Sequence, residues 1–383
     1  MPQIRANWGT LARRRAYSEV MKKILFLSLT LLPVAHAQET NAIPATPAPI
    51  TQPSVSQPPV LQPPVSPAPA APSIAPARLK LSAPVGTNVE LRSVTTSRLT
   101  VANVQVSARP GGQVTPAQLE EVRRSLQQGI SAMNSAGTTT VNGKVFFKVA
   151  SRDAAGNTTL VSSVVQALPA IPGSPSFSKA QNLTLRVTQS VAPDGQLTGL
   201  KIDSDQPQMN AMLKTLTPAK LQQLSKDLSG NSAALYSVPL QVGQPHSVTL
   251  SLDMQDLMKS LVGAFAGQEA GQLFQNFKSS PLTVTTTTTY QGLNAAGQHV
   301  FDTSSQYAAW QFSLTSSDAR MPMTIRAELL KVQSGGTSAY TPAGLPVTLS
   351  QKTNMSMKMT MDIEDVRVNL TMNIEQGQSM QPR

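Results

Sequence analysis

The sequence predicts a mainly β protein of the α+β class, a curved antiparallel sheet or half-barrel closed by a few helices. Three observations carry this. Short runs of β-branched residues recur between turn signals from about residue 78 onward. Only three stretches have helical spacing. The apolar residues of the last long run also switch parity at one point, as a hairpin requires.

In chain order, the first strands are Val145 to Val149 and Thr158 to Val161, which flank Asp153-Ala154-Ala155-Gly156-Asn157 and read as a hairpin with a five-residue loop. Leu183 to Val187 runs toward Pro193-Asp194-Gly195, where proline and glycine preset a turn. Leu282 to Tyr290 leads through Asn294-Ala295-Ala296-Gly297 into Val300, a third hairpin. On the next strands Trp310, Phe312 and Leu314 alternate, followed by Met321, Met323 and Ile325.

Two of the helical stretches share one signature. Thr115-Pro116 and Thr217-Pro218 each supply a capping threonine and a proline at the first helical position, followed by Leu119 and Leu126 or by Leu221 and Leu228. The copies lie 102 residues apart (217 less 115), which raises a duplication into a first β-rich half, 78–180, and a second, 181–377, with 378–383 as a tail. The third stretch runs from about Met254 to Phe277, with Met254, Leu257, Met258, Leu261 and Phe265 on one stripe. Its Gly263, Gly267 and Gly271 offer a smooth face for close packing on a sheet.

The parity switch lies at the C-terminus. Met355, Met357, Met359, Met361 and Ile363 are odd-numbered, whereas Val366, Val368, Leu370, Met372 and Ile374 are even. A two-residue turn at Glu364-Asp365 pairs Ile363 with Val366 and so on to Met355 with Ile374, all on one face. Asp362 then lies opposite Arg367 on the other face, a favourable charge pair. Glu-Asp is not a favoured turn sequence, and a bulged long strand is the alternative.

Upstream of the folded body, Met21-Lys22-Lys23, the apolar run Ile24 to Leu32 and Ala35-His36-Ala37 have the order of a secretory signal peptide, with cleavage expected after Ala37. Residues 1–20 read as an extension ahead of the true start at Met21. Removing residues 1–37 takes six Lys/Arg and one Glu, leaving 25 basic and 19 acidic side chains and lowering the net charge from +11 to +6. No basic run remains in the body, so nucleic-acid binding is not expected. From 38 to 77 a Pro-rich, disordered linker is expected: no charge falls after Glu39, and twelve prolines lie between Pro44 and Pro76. As polyproline II, about 35 residues reach on the order of 100 Å. Such a strip works as a spacer or as a docking site for a protein partner in the cell envelope. With no later apolar run of about 18 residues, no transmembrane span is expected, and the destination is the periplasm or the exterior of a bacterial cell.

The chemistry-bearing residues are sparse. The chain has no cysteine, which removes disulfides, thiolate metal sites and a lipoprotein anchor. Beyond residue 37 the histidines are His246 and His299, neither in a zinc spacing and both expected as exposed strand ends. Ser176-Phe177-Ser178-Lys179 fits S-x-x-K without its companion motifs. The carboxylate groups at Asp203/Asp205, Asp253/Asp256 and Asp362/Glu364/Asp365 read as turns and caps. Catalysis and cofactors are therefore not expected. Alternating methionines suggest Cu(I), which favours thioethers. They stand about 6.6 Å apart along a strand, however, and most of their hairpin partners are aliphatic. The favoured reading is an apolar wall, either core or ligand-facing, of Met355, Met357, Met359, Met361, Leu370 and Met372 with Trp310, Phe312 and Phe265.

The order of Val238-Pro239-Leu240-Gln241-Val242-Gly243, the threonine-rich strand with Tyr290-Gln291-Gly292, Gly335-Gly336 to Leu345, and the methionine hairpin resembles a group of uncharacterised bacterial envelope proteins similar to the lipoprotein-carrier (LolA-like) fold. The resemblance covers roughly residues 78–377. It implies a curved sheet around an apolar hollow able to hold acyl chains, and so a lipid or other hydrophobic ligand. It implies no particular functional residue. The long proline spacer and the apparent duplication depart from the lipoprotein-carrier pattern.

Overall fold

A computed structural model describes residues 77–135, 137–168, 181–193, 197–207, 210, 235–236, 238–253, 255, 276–316 and 322–383. The expected leader and linker, the second capped helix and most of the third helical stretch lie outside these residues. The strands are β1 (Asn88–Ala108), β2 (Thr139–Arg152), β3 (Thr158–Leu168), β4 (Gln181–Val191), β5 (Leu197–Ser204), β6 (Pro245–Leu252), β7 (Asn276–Ser279), β8 (Leu282–Leu293), β9 (His299–Tyr307), β10 (Gln311–Thr315), β11 (Met323–Tyr340), β12 (Pro346–Ile363) and β13 (Val366–Pro382). One helix, α1 (Pro116–Ser135), joins β1 to β2.

All the strands belong to one antiparallel sheet in the order β5-β4-β3-β2-β1-β13-β12-β11-β9-β8-β6, with β10 and β7 continuing from the side of β11. The sheet is thus two meanders joined at their outermost strands, because β1 pairs with β13 from Leu91↔Pro382 to Ala108↔Val366. Of the residues set apart as a tail, 378–382 belong to β13, which runs to Pro382.

The local reasons are legible. Asp153-Ala154-Ala155-Gly156-Asn157, Asn294-Ala295-Ala296-Gly297-Gln298 and Thr341-Pro342-Ala343-Gly344-Leu345 close three hairpins in the same way. In each, the first residue's N–H donates to the carbonyl of the fifth, the glycine N–H donates back to the first carbonyl, and the glycine takes a positive φ. Strands β4 and β5 pair from Val191↔Leu197 as the Pro193 turn predicts, though Asp194 and Gly195 are outside the described residues.

The parity switch is a hairpin. Strands β12 and β13 pair from Ile363↔Val366 to Met355↔Ile374 and on to Leu349↔Met380. Glu364 adopts φ 50°, a conformation usually left to glycine or asparagine. Tertiary contacts hold this unfavoured turn: Glu364 N–H donates to Pro322 O at 3.0 Å, and Asp365 O accepts from Arg109 N–H at 2.7 Å. The third helical stretch is corrected at its C-terminal end, since Asn276 and Phe277 form β7 against β10. Phe277 is drawn into the sheet by Phe312, whose ring stacks on it at 5.5 Å.

The sheet is open and curves toward the face that carries the cores. Val191 of β4 shares a cluster with Tyr290 of β8 and Phe301 of β9, eight and seven strands away along the sheet, through Leu79, Tyr236 and Val238. Leu345, at the β11–β12 turn, packs with Val149 and Leu160 of β2 and β3 and with Ala83. Segment 79–83 therefore plugs one end of the curve. Arg152 ties it down by donating to the carbonyls of Leu81 and Ala83, and Tyr236 OH donates to Gly344 O at 2.9 Å.

Two bulges keep the long strands facing inward. In β11 the burial pattern changes from odd residues (Met323, Ile325, Ala327, Leu329) to even ones (Ser334, Ser338) across the exposed Leu330. In β1 Asn103, at φ 54°, makes the same switch between Val101 and Val106.

Candidate functional site

At the hairpin end of the curve, the inner face is an apolar wall. Met357, Met359, Met361, Leu370 and Met372 are all buried and form one cluster with Leu99, Val101, Phe277, Leu314, Ile325, Val368 and Ile374. Met355 and Phe312 pack against it half-buried. Trp310 joins through the Phe312 ring, 5.3 Å away, while its indole N–H donates to Ser279 Oγ at 3.0 Å. The structure thus brings together every residue of the expected wall except Phe265, which lies outside the described residues.

Helix α1 packs against the same cluster, lying along β1. Its apolar stripe of Leu119, Val122, Leu126, Ile130 and Met133 packs on the cluster, yet none of its residues is buried. The helix is capped: Thr115 Oγ accepts from Gln118 N–H at 3.3 Å, and Gln118 Oε1 accepts from Thr115 N–H at 2.9 Å, the reciprocal arrangement of a capping box. At its other end the Asn134 amide accepts from Val101 N–H at 2.8 Å and donates to Val101 O at 3.0 Å. Asn134 thereby satisfies β1 where β2 has ended, since that pairing stops at Ser97↔Thr139. The cap was legible in the sequence; the helix's seat against this cluster and the Asn134 clasp were not, because both depend on distant pairing.

Above the wall the inner face turns polar. One row runs Thr286, Ser305, Ser334, Thr353, Gln376 and Ser97 across six strands, and the next runs Thr288, Thr303, Gly336, Gln351, Gln378 and Thr95. Some members satisfy one another: Ser334 Oγ and Thr353 Oγ1 are 2.8 Å apart, and Thr286 Oγ1 and Ser305 Oγ 3.1 Å. Beyond the belt the face becomes apolar again at Leu91, Val145 and Met380, and at Tyr290 and Phe301. Composition hid this belt, because threonines in strands read as β-formers; their parity, the same as that of the methionines, was the available signal.

No protein-family profile, curated protein or solved structure matches the chain. The site is therefore read from its own groups. Among the described residues no three His, Asp or Glu side chains gather as a metal site. Both histidines stand at strand starts but are half-buried rather than exposed. His299 Nδ1 is 3.0 Å from Tyr290 OH, and burial lowers the histidine's pKa while raising the tyrosine's. Burial likewise pushes the Tyr340 hydroxyl up to about 12. Met357 and Met372 oppose each other, whereas Met355, Met359 and Met361 face Ile374, Leu370 and Val368. No helix of the described residues is long and apolar enough to cross a membrane.

On the opposite face Asp362 is 3% exposed and lies between two arginines. Arg367 Nε and Nη2 donate to it at 2.6 and 3.0 Å, and Arg326 Nη1 donates at 3.1 Å. Arg367, then Arg326, hold its carboxyl below the usual carboxylate range. This triad ties β11, β12 and β13 together behind the methionine wall.

Proposed function

We propose that this protein is an exported, non-enzymatic component of a bacterial envelope that binds a lipid or other hydrophobic ligand on the inner face of its curved sheet. One observation carries the reading: a contiguous wall of buried thioether and aliphatic side chains shares a cluster with a helix that has no buried residue of its own. Methionine suits a surface that must repack around a guest, because its side chain is unbranched and flexible. A helix seated by a half-buried stripe gives up less contact on moving than one embedded in a core.

The open, curved sheet offers an inner face on which such a ligand could lie. Export rests on the leader pattern ending at Ala37, and the proline-rich linker would set the domain away from a surface. Native mass spectrometry of the purified full chain, before and after solvent extraction, tests the reading. A bound mass in the lipid range that disappears on extraction supports it. A clean apo mass before extraction, which stays apo after incubation with envelope lipid extract, overturns it.

A further inference from the structure

The belt contains two amides, Gln351 and Gln376, with buried polar atoms that have no hydrogen-bond partner among the described residues. The two residues are 5% and 8% exposed, and the atoms are Gln351 Nε2 and Oε1 and Gln376 Oε1. Their positions are diagonal neighbours on β12 and β13, because Thr353 pairs with Gln376 and Gln351 with Gln378. Leaving a buried amide unpaired is costly, and such groups are otherwise found bonded to protein, water or ligand.

We infer that Gln351 and Gln376 form a polar subsite for an uncharged hydrogen-bonding group of an amphiphile whose apolar chain lies along the methionine wall. The inference rests on the hydrophobic-ligand reading above and names the ligand's polar part. Together the two amides present a donor and two acceptors, which matches a hydroxyl, ester or amide. A charged group does not fit. The two belt rows contain no ionisable side chain, while Arg98, Lys352 and Glu375 occupy the alternate positions, which point to the other face. An ion at the belt would be desolvated with no counter-charge. The length fits too: from Met355 to Ile363 the wall continues for about 27 Å below the belt.

The test compares three twelve-carbon compounds, monolauroylglycerol, ionised laurate and dodecane, as displacers of N-phenylnaphthylamine from the full chain. The same series is run on a Gln351→Leu/Gln376→Leu double variant, its fold checked by thermal melting. Should that variant not fold, Gln351→Met/Gln376→Met, closer in shape, replaces it. The expected result is that monolauroylglycerol binds native protein at least tenfold more tightly than either competitor. Each lost hydrogen bond weakens it about tenfold in the variant, and dodecane is unaffected. A native protein without that preference means that the amides hold water only, and overturns the subsite. So does a variant that keeps the preference, or tightest binding of laurate. If no compound displaces the probe, the hydrophobic-ligand reading itself fails, and the subsite with it.

Discussion

Replacing Asp362 by alanine removes the carboxylate that three guanidinium N–H groups share across β11, β12 and β13. Charge-assisted hydrogen bonds contribute about 1.5–3 kcal/mol each, and breaking a buried pair costs about 3–5 kcal/mol when the partner is stranded. Here the partners are not stranded, since the Arg367 and Arg326 side chains are 31% and 56% exposed and regain water. The expected loss is therefore lower, about 2–3 kcal/mol. Asp362→Asn keeps the shape but sets its amide nitrogen against an arginine, and loses about 1–2 kcal/mol.

The pH dependence has a definite sign. The folded carboxyl is held below its ordinary value, so its contribution is full above the unfolded pKa, near 4, and fades as pH falls through the lower folded value. Urea denaturation of native and variant protein from pH 7 into acid reads both effects. The gap between them should narrow as the pH falls below about 4. Equal stability at pH 7, or a gap that does not change with pH, refutes the triad as a stabilising element.

Other expectations concern the wall, α1 and the plug. Met359→Ala, at a side chain 1% exposed, should lower stability by about 2–5 kcal/mol, and Met359→Leu by less than about 1.5 kcal/mol, both read by denaturant midpoint. Asn134→Ala should cost roughly 1–3 kcal/mol and speed hydrogen exchange at the Val101 amide, which loses its acceptor. Gly344→Ala should lower Tm sharply, because the glycine has φ 82° and an added Cβ would stand 2.5 Å from Lys80 O.

The methionine hairpin was legible to the residue, since a parity switch in a two-faced strand has few solutions. The loops at Asp153–Asn157 and Asn294–Gly297 were legible for a similar reason: their chemistry is local. What the residues did not announce was long-range. Nothing near β1 says that it pairs with β13, and nothing near α1 says which strands it packs against. The helical stretch expected from about Met254 to Phe277 misled at its end, where Phe277 instead finds its partner in the Phe312 ring. The polar belt was overlooked because each strand supplies only one or two of its members. Its rows exist only once six strands stand in register.

The proposed ligand, lying between α1 and the methionine wall, is tested most directly by photolabelling. An acyl probe carrying a diazirine is bound to the full chain, irradiated, and its adducts are mapped by peptide mass spectrometry. Adducts are expected within Met355 to Met361, Leu370 to Met372 and the α1 stripe from Leu119 to Met133, suppressed by excess monolauroylglycerol. Adducts confined to the outer face, or scattered and insensitive to competitor, contradict that placement.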